Sequence, residues 1–305
     1  MNRPLRIGTR GSPLALVQAH LVADALRAAH GWDSEAVELV PITTSGDVIQ
    51  DRPLAEVGGK ALWTKELDGS LVEGRTDLSV HSMKDVETIR PAALSIAAML
   101  PRADVRDRLI GADSIAGLPQ GARVGTSSPR RTAQLLAIRP DLAIVPLRGN
   151  VATRLAKIER GEADATLLAS AGLDRLGLGG TGVAISVETL LPAPAQGAIG
   201  VEIRSDDGAT RALVAAIDHA PTHDCVDAER ALLKALGGDC RSAVAALAVG
   251  DGEMIRLRAA ILLGDGSEQQ GGEARFPVGV EAEPAALAKR LLAAASPALR
   301  ASFAS

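Results

Sequence analysis

The feature that most constrains the fold of this chain is a turn that occurs twice. Arg6-Ile7-Gly8-Thr9 is followed by Ser12-Pro13, and Arg123-Val124-Gly125-Thr126 by Ser128-Pro129. In each copy a strand-like run ends in a turn, a serine stands at the N-cap and a proline occupies the first helical position, where its missing N–H costs nothing. Further on, Gly74-x-x-Asp77 and Gly161-x-x-Asp164 each close a helix and open a strand. The pattern predicts two related α/β domains facing each other, each presenting the positive end of a helix. Unequal spacing between the paired landmarks predicts an insertion in the first copy around Gly46 to Lys60, with the turn residues of a mobile loop.

Strand-like and helical runs alternate to about residue 200, with Leu5 to Gly8, an apolar stripe at Leu14, Val17, Leu21 and Ala25, and then Glu35 to Val40. That alternation belongs to α/β folds with open sheets. From about Pro221 the order changes to a helix through Ala228 to Leu236, a strand over Ile255 to Leu263, a Gly264-Asp265-Gly266 turn, another extended stretch and a final helix from Pro284 to Ala295. The expected class is therefore α/β, with a smaller C-terminal α+β domain. A length of 305 residues with 47% hydrophobic content suffices for two or three cores.

A formal charge of -4 and the absence of tyrosine argue against a nucleic-acid partner, which needs a basic field and stacking platforms. The N-terminal Met-Asn-Arg-Pro leads directly into Leu5-Arg6-Ile7 without an apolar signal core, so export is not expected. Apolar stretches such as Ala243 to Val249 fall well short of the ~18 to 20 residues that span a bilayer. Cys225 and Cys240 are too few for a disulfide framework and fit a reducing cytosol. A soluble cytoplasmic protein is expected.

Basic residues gather near the turns: Arg10, Lys60, Lys84, Arg130, Arg131, Arg148, Arg154 and Arg175. Singly, each could be a solvated surface charge. Together they suit a cleft that binds several carboxylates or phosphates. Arg130 and Arg131 oppose their helix dipole, which points to a waiting anion. His81-Ser82-Met83-Lys84-Asp85 stands at the carboxyl end of the strand Leu78 to Val80, where open α/β sheets bind ligands. It can be read as a helix start capped by Ser82 and Asp85, or as a site in which Asp85 stabilises a cation or moves a proton while Lys84 holds a substrate acid. Gly177-Leu178-Gly179-Gly180-Thr181-Gly182 matches a dinucleotide fingerprint but lacks its strand and helix, and is read as a loop. His219, His223, Cys225 and Cys240 have zinc-ligand types without a zinc spacing, so no metal is expected. Cys240, in Gly237-Gly238-Asp239-Cys240-Arg241, has room around its sulfur and an arginine to favour the thiolate, yet it could equally be a half-buried cysteine in a C-cap loop.

Several of these segments, in this order, resemble the porphobilinogen deaminase (hydroxymethylbilane synthase) family over nearly the whole chain. They are Thr9-Arg10-Gly11-Ser12-Pro13-Leu14-Ala15-Leu16, Val57-Gly58-Gly59-Lys60, His81 to Asp85, Gly125-Thr126-Ser127-Ser128 with Arg130-Arg131, Leu147-Arg148-Gly149-Asn150-Val151 with Thr153-Arg154, Ala171-Gly172-Leu173 with Arg175-Leu176-Gly177, and Gln196-Gly197-Ala198. The resemblance implies two domains like those of periplasmic binding proteins, 1–99 with 197–217 and 103–193, and a third, 220–305, bearing the cofactor cysteine. It implies stepwise condensation of four porphobilinogen molecules, with release of ammonia, to 1-hydroxymethylbilane in tetrapyrrole and haem biosynthesis, by a transferase acting as a monomer without nucleic-acid or membrane partners. The implied cofactor is a dipyrromethane joined by a thioether to Cys240. Asp85 corresponds to the essential carboxylate. Lys84, Ser128, Arg130, Arg131 and Lys60 would hold the cofactor, and Arg10, Ser12, Arg148, Arg154, Arg175 and Gln196 the substrate.

The sequence departs from the family's habits at Ala61, Trp63, Ala152, at Ala195 in Pro194-Ala195-Gln196, and at Arg241-Ser242-Ala243-Val244 after the cysteine. None of these removes a charged group. Two other classes compete: a non-enzymatic anion-binding clamshell, which would need neither the cysteine nor a third domain, and a metal-dependent hydrolase, for which the five histidines are too scattered.

Overall fold

The structure, a computed structural model, describes residues 3–44, 64–238, 242–280 and 282–303. Lys60, Ala61, Trp63, Cys240, Arg241 and the expected loop around Gly46 to Lys60 lie outside them. The chain divides into two compact units, Met1–Ala103 with Gly197–His223 and Asp104–Gln196 with Asp224–Ser305.

Leu5–Arg10 (β1), Val37–Ile42 (β2), Leu78–Ser82 (β3) and Leu94–Met99 (β4) belong to the first unit. Asp107–Ile110 (β5), Arg123–Gly125 (β6), Ala143–Val145 (β7), Ala165–Ala169 (β8) and Val183–Ala184 (β9) lie in the second. Ile199–Arg204 (β10) returns to the first, and Val244–Asp251 (β11), Met254–Leu262 (β12) and Gln269–Pro277 (β13) make an antiparallel C-terminal sheet. The first sheet runs β2-β1-β3-β10-β4 and the second β7-β6-β8-β5-β9. In each, the second strand in order, β1 or β6, is parallel to both its neighbours, and the fourth, β10 or β5, is antiparallel to the third. The expected α/β class, with two matching sheets and a smaller C-terminal sheet, is what the chain adopts.

The duplication extends to single hydrogen bonds. The Arg6 N–H donates to Asp77 Oδ2 at 2.8 Å and the Asp77 N–H to the Arg6 carbonyl at 2.9 Å. In the second unit the Arg123 N–H donates to Asp164 Oδ2 at 2.7 Å and the Asp164 N–H to the Arg123 carbonyl at 2.8 Å. Each arginine also reaches the carbonyl of the matching glycine, Gly74 or Gly161. Ser12 and Ser128 cap helices Pro13–His30 and Pro129–Ile138, accepting from Ala15 N at 3.4 Å and Arg131 N at 3.5 Å.

One expectation needs correction. The buried face of helix Pro13–His30 is Gln18, Ala19, Val22, Ala23 and Leu26, whereas Leu21 of the predicted stripe is exposed. Alanine, valine and leucine occur nearly all round this helix, so two stripes fit its sequence, and packing on β1 and β3 selects the one with smaller side chains. Pro221 stands in the first turn of helix Ala220–Ala235, as proline can where no N–H is needed.

The first core gathers Ile7, Val22, Leu26, Leu78, Val201 and Ile203, and the second sheet has its own in Leu109, Val124, Leu135 and Leu167. The C-terminal sheet buries Leu257 and Ile261 against Leu232, Leu287 and Leu299. Each such side chain contributes about 1.5–3 kcal/mol. Glu229, fully buried, accepts from Ala195 N at 2.5 Å and Ala248 N at 2.6 Å, tying the segment before Gln196 to β11. Ala195, where the family more often has glycine, is held at φ 61°. A left-handed non-glycine residue costs about 1–2 kcal/mol, part of which glycine's unfolded-state entropy would return. Ala195→Gly is therefore expected to raise stability by about 0.5–1 kcal/mol in urea denaturation, and a loss would mean that packing of the methyl outweighs the strain.

Candidate active site

In the first unit, the end of β1, the start of helix Pro13–His30 and the turn after β3 enclose a cleft of about 70 Å³. Arg10, Ser12, Gln18, His81, Ser82 and Asp85 line it. Asp85 is exposed in the tight turn Met83–Asp85, and Lys84 beside it is half-buried. Ser82 makes no capping hydrogen bond, which removes the capping role weighed for it. Instead its hydroxyl pairs with the Gln18 side-chain amide at 2.8 and 3.1 Å, fastening the turn that carries Asp85 to the helix that follows Arg10. Gln18 belongs to no motif; its only signal in the sequence is a polar side chain on the face of the helix that is buried. Below the turn, Met83 fills the space over Gly200, where an added Cβ would lie 2.1 Å from the Met83 sulfur. Glycine at this one position lets β10 pass under the turn.

Behind the cleft lies a buried charge network. Arg90 donates from Nε to Glu202 Oε1 at 2.8 Å and from Nη2 to Glu202 Oε2 at 2.9 Å, and also bonds Asp68 and Glu87. His81 Nε2 sits 3.1 Å from Glu202 Oε2, and the Thr64 hydroxyl donates to Glu87. Burial works to raise the Glu202 pKa, but hydrogen bonds and charge from His81 and Arg90 overcome it and hold the carboxyl down at about 2. Asp68 goes the other way, pushed up by burial against the pull of Arg90. Because the folded pKa of Glu202 lies below the unfolded value of roughly 4.3, its contribution is fully present above about pH 4.3 and drains away as pH falls toward 2. Glu202→Gln should be less stable at pH 7 and lose less on acidification. Urea midpoints measured from pH 7 to 2.5 would show parallel curves if Glu202 plays no such part.

The second unit holds a different cluster, centred on a residue that no motif singles out. Asp107, at the start of β5 and completely buried, accepts from Arg130 Nη2 at 2.8 Å and Arg131 Nη2 at 2.6 Å. Gln196 Nε2 donates to the same carboxylate at 3.0 Å and to the Val105 carbonyl at 2.7 Å. Arg130 also reaches the Leu191 carbonyl, and Arg131 the Leu167 carbonyl. Burial would raise the Asp107 pKa, and the two guanidinium charges hold it far below the usual carboxylate range. Burial pulls the Arg130 guanidinium down, with Asp107 opposing. The anion expected for Arg130 and Arg131 thus includes one from the chain itself. Two cations on one carboxylate still leave a buried positive charge, and Nε of each arginine is buried with no hydrogen-bond partner among the described residues.

Arg148 and Arg154 flank the start of helix Val151–Glu159, where Asn150 caps Thr153 N at 2.9 Å and Arg154 Nε donates to the Gly149 carbonyl at 2.9 Å. Ala152, a family departure, is exposed in the first turn of this helix and favours it over glycine by less than the ~0.8–1 kcal/mol of a helix interior. Arg175 ends helix Ser170–Arg175, half-buried, with its pKa pulled by burial to about 10. Residues 177–182 form turns, as expected. His219 bonds Thr222 and His223 bonds Asp218, each at a helix start, and Cys225 lies in the C-terminal core.

An exposed carboxylate and an arginine lining one cleft of the first unit suit several chemistries on acidic ligands. Comparison with known families decides which. The profile described as "Porphobilinogen deaminase, dipyromethane cofactor binding domain" matches residues 5–212, and that of the porphobilinogen deaminase C-terminal domain matches 223–295. This chain belongs to the porphobilinogen deaminase family. It is 59% identical over 310 residues to the porphobilinogen deaminase of Sphingopyxis alaskensis, covering 99% of this chain and 98% of that one. It is 53% identical over 268 residues to that of Paracoccus denitrificans, covering 87% and 86%. Among solved structures, an arginine-specific periplasmic binding protein of Salmonella typhimurium aligns at a TM-score of 0.40 with 14% identity, over 70% of this chain and 92% of that one. Porphobilinogen deaminases are enzymes, and the sequence segments that resembled them lie within the matched residues.

Proposed function

We propose that the chain is a hydroxymethylbilane synthase, joining four porphobilinogen molecules head to tail with loss of ammonia and releasing 1-hydroxymethylbilane by hydrolysis. Membership of the family over both matched segments supports this and disfavours the non-enzymatic clamshell. The structural observation that carries it is the convergence of Arg10, Ser12 and Asp85 on one cleft.

The dipyrromethane named in the family's first profile has acetate and propionate arms, and the buried surplus charge at Arg130 and Arg131 fits such arms. When bound, that group supplies the free pyrrole α-carbon on which the product grows. Cys240 would hold it by a thioether, with Lys84, Ser128, Arg130, Arg131 and Lys60 on its acids. Ser128 accepts from the Arg131 N–H with one lone pair and keeps its O–H to donate. Arg10, Ser12, Arg148, Arg154 and Arg175 would bind substrate acids. Gln196, carried over as a substrate residue, donates to Asp107 and so helps fix Arg130 and Arg131 on the cofactor side.

In each condensation the C–N bond of the substrate's protonated aminomethyl group breaks and ammonia leaves with the bonding pair, giving a methylene-pyrrole cation. A new C–C bond then forms and the attacked α-carbon gives up its proton. The role assigned to Asp85 is to accept hydrogen bonds from pyrrole N–H groups and oppose the developing positive charge with a fixed negative one. The proposed setting is a cytoplasmic monomer; no helix among the described residues is long and apolar enough to cross a membrane.

Intact mass spectrometry of the wild type and of Cys240→Ala, alone and with porphobilinogen, tests this reading. A dipyrromethane mass present in the wild type and missing in the variant, with further pyrrole increments on mixing, is expected. A wild-type mass that never changes would leave the chain a binding protein.

A further inference from the structure

The helix that carries Arg130 and Arg131 is seated from the far end of the same unit. Its residues Arg130, Ala133, Gln134 and Ala137 follow one another at helical spacing on one face. Gln134 exchanges two hydrogen bonds with the Leu191 backbone, at 2.8 and 3.0 Å, and Arg130 donates to the Leu191 carbonyl at 2.7 Å. Ala133 is fully buried in a cluster with Ala245, Leu247, Ala260 and Leu262 of the C-terminal sheet. Onto that face comes the turn between β12 and β13. The turn is itself fixed: Gly266 N donates to the Leu263 carbonyl at 2.9 Å, and Asp265 accepts from the Ser267 N–H and hydroxyl. Gly266 stands at φ 74°, and a Cβ built on it would lie 2.4 Å from Ala137 N and 2.7 Å from both Ala133 O and the Leu136 carbonyl carbon. All three are backbone atoms of the helix, which no rotamer change can move aside.

We propose that Gly266 is a positioning residue for cofactor uptake. Its bare backbone rests on the last turns of the helix, so the helix cannot slide or tilt without losing the Asp107 bonds of Arg130 and Arg131, about 10 Å further along. Any side chain at 266 drives the helix outward, and the misplacement is felt at the two arginines. This inference rests on the proposed dipyrromethane chemistry and deepens it: the C-terminal sheet sets the geometry in which the arginines meet the cofactor's carboxylates.

A matched control separates contact from backbone strain. Gly252, in the turn between β11 and β12, has φ 64° and nothing within 4 Å of an added Cβ. Gly252→Ala and Gly266→Ala therefore share the left-handed penalty, and only the second meets the helix. Each protein is produced in cells that make no porphobilinogen, then mixed with porphobilinogen well below its Tm, and the appearance of the dipyrromethane mass is followed by intact mass spectrometry. Wild type and Gly252→Ala are expected to load at similar rates and Gly266→Ala at least tenfold more slowly. Loading of Gly266→Ala within twofold of Gly252→Ala overturns the inference while leaving the function intact; a wild type that never loads overturns both. Should Gly266→Ala fail to fold, Asp265→Ala, which loosens the turn without adding an atom at the contact, is expected to load about threefold more slowly, and an unchanged rate counts against the proposal.

Discussion

Asp85→Asn is expected to lower kcat by about 10²–10³-fold while leaving the protein folded and its cofactor mass in place. Asparagine keeps the size of the side chain and one accepting oxygen, and removes the fixed charge. Asp85 is exposed on a short turn, so the substitution breaks no buried pair and its effect falls on the reaction. The charge is needed most when ammonia departs, which places the loss in kcat more than in KM. Steady-state rates combined with intact mass would decide the matter. A variant within tenfold of the wild type would remove Asp85 from the chemistry, and one without cofactor mass would give it a part in assembly instead.

Asp107→Ala should cost about 3–5 kcal/mol of stability, more than any single surface substitution. The wild type balances two buried guanidinium groups on one carboxylate, and alanine leaves both without a charged partner in the interior. Gln196→Leu, which removes only the supporting amide and its bond to Val105, should cost nearer 1 kcal/mol. The pKa of Asp107 is depressed in the folded state, so its contribution is fully present above about pH 4 and declines in acid. Urea denaturation at pH 7 and pH 3 reads both effects. A loss below about 1 kcal/mol at pH 7 would mean that water or a rearranged arginine takes the place of Asp107.

Legibility followed the range of the interactions. The repeated turn was readable because each copy is local chemistry, an N-cap serine, a first-turn proline, an aspartate opening the next strand, and the structure reproduces it bond for bond. The placement of 81–85 at the carboxyl end of β3 was readable for the same reason. Asp107 was not: four acidic or basic residues crowd 104–108, and nothing in their spacing says which will meet Arg130 and Arg131 across the sheet. The pairing of Arg90 with Glu202 spans 112 positions and exists only once β10 has entered the first sheet. The buried stripe of helix Pro13–His30 was misjudged because its small apolar residues allow two faces, a choice made by the partner strands. The carried-over roles of Lys60 and Cys240 fall outside the described residues, and they rest on the family alone.

The entry of β10 between β3 and β4 has a consequence for how the chain is made. Every strand of the second sheet lies between Asp107 and Ala184, so that sheet has all its parts before the first one does. The first waits for Ile199–Arg204, and with it for the Glu202 carboxylate that pairs with both Arg90 and His81. During synthesis, with N-terminal residues emerging first, the opening hundred residues therefore expose the facing edges of β3 and β4 and leave Arg90 with Asp68 and Glu87 but without its two bonds to Glu202, while a later segment completes itself ahead of them. Long-range closure of this kind is slow. Arrest of the nascent chain before and after residue 204 should mark the point at which the first unit becomes resistant to protease.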